Sequence, residues 1–358
     1  MPSLKEIKGR INSISSTLAI TSAMKMVASA KLQKAQMAIQ NMLPYERRLY
    51  SMLLDLMGAM NISAAASEDG SVRGSGSAER GFDQSGDRLS LSNRHDLAGM
   101  DGAYSLMAQR EVRKVAIVAF ASNSSLCGAF NSNVIREATA VINEYRASGL
   151  GDADITVYSV GRKMAEAMKK LGFPSPADFT KMSDSPSYEA ASALAQELLD
   201  GFVSGRFDKV ELVYNHYKST SSQPTIRQTY LPLSLADATA DLQAGKITDS
   251  ASESDTNRVA EPVGAPVVRQ GSPTTEDLIV EPSKEALIAT LLPKVIRLRI
   301  FTTLLDSAAA EHAARTVAMQ LATDNGNDLL QELTLEYNKG RQQKITSEIL
   351  DLVGGSMQ

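Results

Sequence analysis

Residues 4–60, LKEIKGRINSISSTLAITSAMKMVASAKLQKAQMAIQNMLPYERRLYSMLLDLMGAM, decide the fold. Steps of three and four from Leu4 reach Ile7, Ile11, Ile14, Leu18, Thr21, Lys25, Ala28, Leu32, Ala35, Ile39, Met42, Glu46, Leu49, Leu53, Leu56 and Met60, and only Thr21, Lys25 and Glu46 interrupt the apolar stripe. A seven-residue period held this long keeps one seam of a helix against a partner helix and imposes a left-handed supercoil. At about 1.5 Å per residue the segment extends roughly 85 Å, several times an ordinary domain helix. Pro44 predicts a local kink, because proline removes a ladder hydrogen bond.

The partner lies at the other end of the chain. Residues 283–353 read as helix and stop at Gly354 and Gly355, with Pro293 expected to divide a short lead-in helix from the main one. Leu291, Val295, Leu298, Leu305, Ala308 to Ala310, Leu329, Leu333, Ile345 and Ile349 form its less regular seam. Gly326 and Gly340 each cost about 1 kcal/mol inside a helix, so their presence points to a close contact or bend. Neither terminal helix buries its stripe alone, and pairing with each other solves both problems.

Between them, VAIVAF (115–120), ITVYSVG (155–161), VELVYNHY (210–217) and TIRQTYLPL (225–233) read as strands alternating with helical patterns at 132–147, 162–171 and 187–204. That order predicts an α/β fold with long helices: an antiparallel coiled coil of the N- and C-terminal helices plus a Rossmann-like α/β domain. The expected divisions are 1–60 coiled-coil helix, 61–111 low-complexity insert, 112–235 α/β domain, 236–277 polar insert and 278–358 coiled-coil helix. The first insert is rich in glycine, serine and charge, the second is polar and turn-rich with several prolines, and neither shows apolar periodicity.

The chemistry classes thin out quickly. A net charge of -4 and no zinc or helix-turn-helix signature speak against nucleic acid. One cysteine, Cys127, rules out an intramolecular disulfide, and His95, His216 and His312 are too scattered for a Cys/His metal site. No apolar run is long enough to span a bilayer, and the basic, serine-rich residues 1–36 read as mature helix rather than transit peptide, because the seam runs on far beyond them. There is no GxxxxGK[ST] phosphate loop. Loop 122–131, SNSSLCGAFN, leaves a strand and enters a helix, the place where a doubly wound fold binds nucleotide; the alternative reading is a structural turn with a packed Cys127. His312, beside Glu311 and Arg315, reads as a packed or surface histidine. In residues 1–60, Lys5, Lys8, Arg10, Lys25, Lys31, Lys34, Arg47 and Arg48 outnumber Glu6, Glu46 and Asp55, a balance suited either to an acidic partner or to a solvated face. Lys25 stands apart because it falls on the seam, where a charge costs stability unless it meets a partner. A flagellin-like filament protein and a nucleotide-binding α/β protein remain as the structural and enzymatic alternatives.

IKGRINSISSTLAITSAMKMVASAKLQKA (7–35) and AEHAARTVAMQLATDNGNDLLQELTLEYNKGRQQKITSEILDLVGG (310–355) resemble, almost throughout, the first and last helices of F-type ATP synthase gamma subunits. The central domain is similar more loosely: the family's Asp-Lys/Arg-Gly-Leu-Cys-Gly loop is here Asn123, Ser124, Ser125, Leu126, Cys127 and Gly128. The photosynthetic members' redox insert needs two cysteines, which this chain lacks. The resemblance implies a non-catalytic rotor shaft, with no cofactor, no metal and no catalytic residue of its own. It implies one copy per complex, with alpha and beta subunits, an epsilon subunit and the membrane c-ring as partners, peripheral on the cytoplasmic face of a bacterial inner membrane. By the same resemblance, Met24 and Lys25 face an acidic lever on the beta subunit, and Arg315 is a basic shaft contact. Arg341, Gln342 and Thr346 lie near a catch on the beta subunit, and Glu281 lies in the foot that touches the ring and epsilon subunit.

Overall fold

In a computed structural model, residues 3–59, 106–233, 281 and 283–355 are described. Helix α1 spans Leu4–Ala59, and the final helix, α6, spans Lys284–Gly355. Between them run β1 (Val115–Phe120), α2 (Phe130–Ala147), a 3-10 turn (Asp152–Asp154), β2 (Ile155–Val160), α3 (Arg162–Lys170), α4 (Thr180–Asp184), α5 (Tyr188–Val203), β3 (Lys209–Asn215) and β4 (Thr225–Leu231). The stretches read as inserts, 61–111 and 236–277, lie outside the described residues apart from 106–111.

The strand order is β2-β1-β3-β4, with β1 parallel to both β2 and β3 and β4 antiparallel to β3. β1 is buried at every position, as a central strand covered on both faces must be. Its two-residue period splits the core. Val115, Ile117 and Ala119 turn toward α2 and α3, against Val134, Ala138, Val141, Ile142, Met164 and Met168. Ala116, Val118 and Phe120 turn the other way, toward Leu194, Leu198 and Phe202 of α5, Leu292, Val295 and Ile296 of α6, and Leu49, Leu53 and Leu56 of α1. The base of the two long helices is thus one wall of the α/β core.

The long helices pack antiparallel. Arg299 Nη1 donates to Tyr50 Oη at 2.8 Å near the base, Leu32 packs with Ala309 and Ala313 in the middle, and Thr323 Oγ1 meets Thr21 Oγ1 at 3.1 Å higher up. From Leu4 to Lys34, the positions shielded from solvent are Leu4, Ile7, Ile11, Ile14, Leu18, Thr21, Lys25, Ala28 and Leu32, which is the seam read from the sequence. Beyond Ala35 the buried stripe widens, because there the helix meets the α/β core as well. The facing seam of α6 is Thr323, Gly326, Leu330, Leu333, Tyr337 and Gly340. Leu329, expected on that seam, points to solvent at 50% exposure. The glycines are contacts: a Cβ at Gly326 would stand 2.6 Å from Leu18 Cδ2, and one at Gly340 would stand 3.1 Å from Leu4 Cδ2.

Pro293 does not divide α6, which runs unbroken through it, just as α1 runs through Pro44. A proline inside a helix costs about 3 kcal/mol. On either side of Pro293, Ile288, Leu292, Val295 and Ile296 are nearly fully buried, and at about 1.5–3 kcal/mol per large apolar side chain their burial outweighs that cost.

Polar fastenings join domain and helices. Asp306 on α6 takes His216 Nδ1 at 2.6 Å and the Tyr217 backbone N–H at 2.9 Å, and Gln36 on α1 donates to Tyr217 Oη at 2.6 Å. The bond to Asp306 holds the His216 imidazole above its ordinary pKa. Inside the sheet, Glu211 is 1% exposed. It accepts from Tyr145 Oη at 2.6 Å and Arg227 Nε at 2.7 Å, and pairs with Lys209 Nζ at 2.7 Å. Burial works to raise its pKa, yet Arg227, Lys209 and Tyr145 together hold it below the usual carboxylate value.

Candidate partner-contact surface

The residues singled out from the sequence fall into three bands along the paired helices. Met24 and Lys25 lie one turn from Thr21 on α1, toward the base, and Arg315 lies two turns from Thr323 on α6 in the same direction, so Arg315 sits about one helix turn, roughly 6 Å, nearer the base than Lys25. Lys25 is half-buried on the seam, while Met24 beside it is exposed. The exposed Arg341, Gln342 and Thr346 form a second band, about 39 Å beyond Arg315 by helix rise, where Thr346 Oγ1 donates to the Gln342 carbonyl at 2.9 Å. Glu281, also exposed, is at the opposite end, just before α6.

That second band lies beyond the paired stretch of the two helices. Leu4 opens α1 and packs at Gly340, so among the described residues the last fifteen or so of α6, about 22 Å, run on past the end of α1. Ile345, Ile349, Leu350, Leu352 and Val353 there are between 48% and 74% exposed. Lower down, Ile20, Met24 and Val27 put a second apolar stripe on the outer side of α1. These apolar side chains repeat off the seam and are exposed among the described residues, and contiguous exposed apolar surface marks an interaction face. The sequence reading passed over Ile20 and Val27 because it followed the inner seam; their helical spacing with Met24 was the available signal.

Arg315 is tied at its own level. Its Nη2 donates to Glu311 at 2.8 Å, while its buried Nε finds no acceptor among the described residues. Burial pushes the Glu311 carboxyl up to about 7, opposed by Arg315 and reinforced by Asp184. Burial drives His312 the other way, down to about 4, helped by Lys31 and Arg315. His312 is thus a neutral packed ring, as the sequence reading favoured.

The loop considered for nucleotide is filled by its own hydrogen bonds. Asn131 Nδ2 reaches Ser122 Oγ at 2.8 Å, the Ser124 carbonyl at 3.2 Å and Cys127 Sγ at 3.2 Å. Asn123 Oδ1 accepts from the Arg162 N–H at 2.8 Å, and its Nδ2 donates to the Thr180 carbonyl at 2.7 Å. Cys127 is 1% exposed and packs with Phe130 and Ala310. The crevice at the carboxyl ends of β1 and β2, where open α/β sheets bind ligands, is lined by Phe120, Ala121, Val160 and Ser183 and covered by Leu304, Ser307, Ala308 and Glu311 of α6. The long helix occupies the place a nucleotide would take. Among the described residues, no helix is long and apolar enough to cross a membrane.

A family model described as ATP synthase matches residues 3–357, and the ATP synthase gamma chain of Phocaeicola vulgatus is 48% identical over 357 residues, spanning 100% of both chains. The chain belongs to the ATP synthase gamma-chain family. The gamma chain of Bacteroides thetaiotaomicron is 45% identical over 358 residues, again across 100% of both. These full-length alignments run through 61–111 and 236–277, so these two gamma chains carry sequence there too. The fold is similar to a chain of the Euglena gracilis mitochondrial ATP synthase rotor, at TM-score 0.50 and 18% identity over 96% of this chain and 98% of that one. A second Euglena chain, from the OSCP/F1/c-ring assembly in rotational state 3, gives TM-score 0.52 and 18% identity, covering 99% of this chain and 93% of the other. At that identity the likeness speaks to the fold.

Proposed function

We propose that this gamma chain is the central shaft of a rotary ATP synthase, turning inside a ring of alpha and beta subunits and carrying no catalytic site. The observation that carries this reading is the two-sided use of the long helices. Their inner seam is filled by each other, yet apolar side chains repeat on the outer side at Ile20, Met24 and Val27 and along the end of α6 beyond Gly340. A shaft needs both faces: one to hold it together, one to slide against a surrounding wall. We read the helix pair as a left-handed antiparallel coiled coil. The units are 1–60 and 278–358 for the shaft and 112–235 for a Rossmann-like domain at its foot.

Met24, Lys25 and Arg315 then meet the beta subunit within about one helix turn of each other, and Arg341, Gln342 and Thr346 meet it again near the tip. Glu281, at the foot, faces the epsilon subunit and the membrane c-ring, and the chain is peripheral on the cytoplasmic side in this reading. As the shaft turns, each catalytic site in the ring meets a different face, and differential contact shifts it between conformations. The filled crevice beside β1 and β2 disfavours the nucleotide-binding alternative.

An affinity tag on this chain, used to purify it from its native membranes, tests the assignment. Alpha and beta subunits should accompany it in fixed proportion, with epsilon and the ring. Recovery of homopolymers of this chain alone would overturn the reading in favour of a filament.

A further inference from the structure

The crevice beside β1 and β2 contains a carboxyl that a shaft alone does not require. Glu311 is 7% exposed, and among the described residues Arg315 Nη2 is the hydrogen-bond donor recorded for it, at 2.8 Å. An ionised carboxylate offers about four acceptor positions, so one donor leaves a buried anion poorly compensated. The crevice wall brings Phe120, Ala121 and Val160 from the strand ends and Ser183 from α4, and Ser183 Oγ is already spent on the Ala121 carbonyl at 3.0 Å. The charged and titratable groups acting on this carboxyl are Arg315 on its own helix, Asp184 from α4 and Lys31 from α1. His312, the next residue on α6, feels Lys31 and Arg315 too. The strand ends contribute no titratable group to the crevice.

We propose that Glu311 is a proton-operated latch between the long helices and the α/β domain: protonated, it lets the crevice close on a neutral group; ionised, it draws water in and loosens the joint. The place is mechanically sensitive, because Leu304, Ser307, Ala308 and Glu311 are where α6 lies across the open ends of two core strands. Burial raises the folded-state value from the ordinary 4.5 to about 7. The closed joint therefore binds a proton that the open one releases. Stability from this group is full below about 4.5, falls as pH rises toward about 7, and is level above it. His312, lowered from 6.5 to about 4, works in the opposite sense: its contribution is full above 6.5 and falls as pH drops toward 4. The two oppose each other across mildly acidic pH, so the latch is read by difference.

Amide hydrogen exchange of the full-length chain, corrected for intrinsic rates, is to be followed in 118–123, 181–184 and 304–312 from pH 5 to pH 8. Relative to Glu311→Gln, whose amide stands in for the protonated carboxyl, the wild-type opening constant should rise by at least about tenfold between pH 5 and pH 7.5, the change carried by one unit of pKa displacement. His312→Asn in both backgrounds removes the opposing titration and should leave this difference in place. Wild type and Glu311→Gln keeping a constant ratio across the range would overturn the proposal. Should Glu311→Gln fail to fold, carboxyl-carbon NMR of the wild-type chain decides: a Glu311 midpoint near 7 supports the latch, and one at the ordinary 4.5 overturns it.

Discussion

Gly161→Ala is expected to lower the thermal midpoint of the chain by roughly 5 °C or more and to cost about 3 kcal/mol or more of stability. Gly161 links β2 to α3 with φ +98° and ψ 142°, a region that residues with a Cβ essentially avoid. The added methyl would also stand 2.0 Å from the Ala121 carbonyl oxygen and 2.7 Å from the Ala121 carbonyl carbon. These are backbone atoms that cannot swing aside as a side chain can. Moving them disturbs the Ala121 N–H bond to the Val160 carbonyl at 2.8 Å and the Lys163 N–H bond to the Ser122 carbonyl at 3.2 Å, which tie together the carboxyl ends of β1 and β2. Gly172→Ala is the control. Its φ of +91° carries similar strain, but a Cβ there meets nothing within 4 Å, so its cost should stay near about 1–2 kcal/mol. Calorimetry of the two variants checks the contrast, and equal midpoints would show that the clash at Ala121 is relieved cheaply.

Lys25→Glu is expected to leave assembly and folding close to wild type while reducing the protons pumped per ATP hydrolysed in reconstituted vesicles. Lys25 is half-buried on the seam, and neighbouring Met24 is exposed beside it. A partly exposed charge of this kind contributes about 0–1 kcal/mol to stability. A charge that meets an acidic lever once per step acts instead on the relative energies of rotational states. A shift of about 1.4 kcal/mol there changes their populations tenfold. Lys25→Ala should show the weaker form, by loss of attraction, and Lys25→Glu the stronger, by like-charge repulsion. Vesicle acidification and ATP turnover measured together on a fully assembled enzyme check this; unchanged pumping and turnover in Lys25→Glu would remove Lys25 from the contact surface.

The long-range design was legible because it is periodic. A seam repeated from Leu4 to Leu56 is a one-dimensional pattern, and in the structure its members are the shielded face of α1. The strands were legible as short apolar runs, and β1, VAIVAF, proved the fully buried centre of the sheet. Less legible was where the seam of α6 lies, since its glycines stand in for apolar knobs and Leu329 and Leu330 are equally apolar; facing leucines on α1 decide which turns inward. Pro293 misled because local propensity is outweighed by the buried side chains around it. The polar fastenings were invisible in sequence. Glu211 meets Tyr145 across 66 residues, and His216 meets Asp306 across 90, so no local spacing announces either. Glu311 was in view only as a neighbour of His312, because nothing in AEHAAR says that the crevice closes over that carboxyl.

Single-molecule rotation tests the central claim most directly. With the alpha and beta subunits immobilised and a probe fixed to this chain through Leu171→Cys, an exposed position on the α/β domain, added ATP should drive stepwise rotation in one direction, and the isolated chain should hydrolyse no ATP. A probe that stays stationary while the assembled complex hydrolyses ATP at full rate, or ATP hydrolysis by the chain alone, would contradict the account.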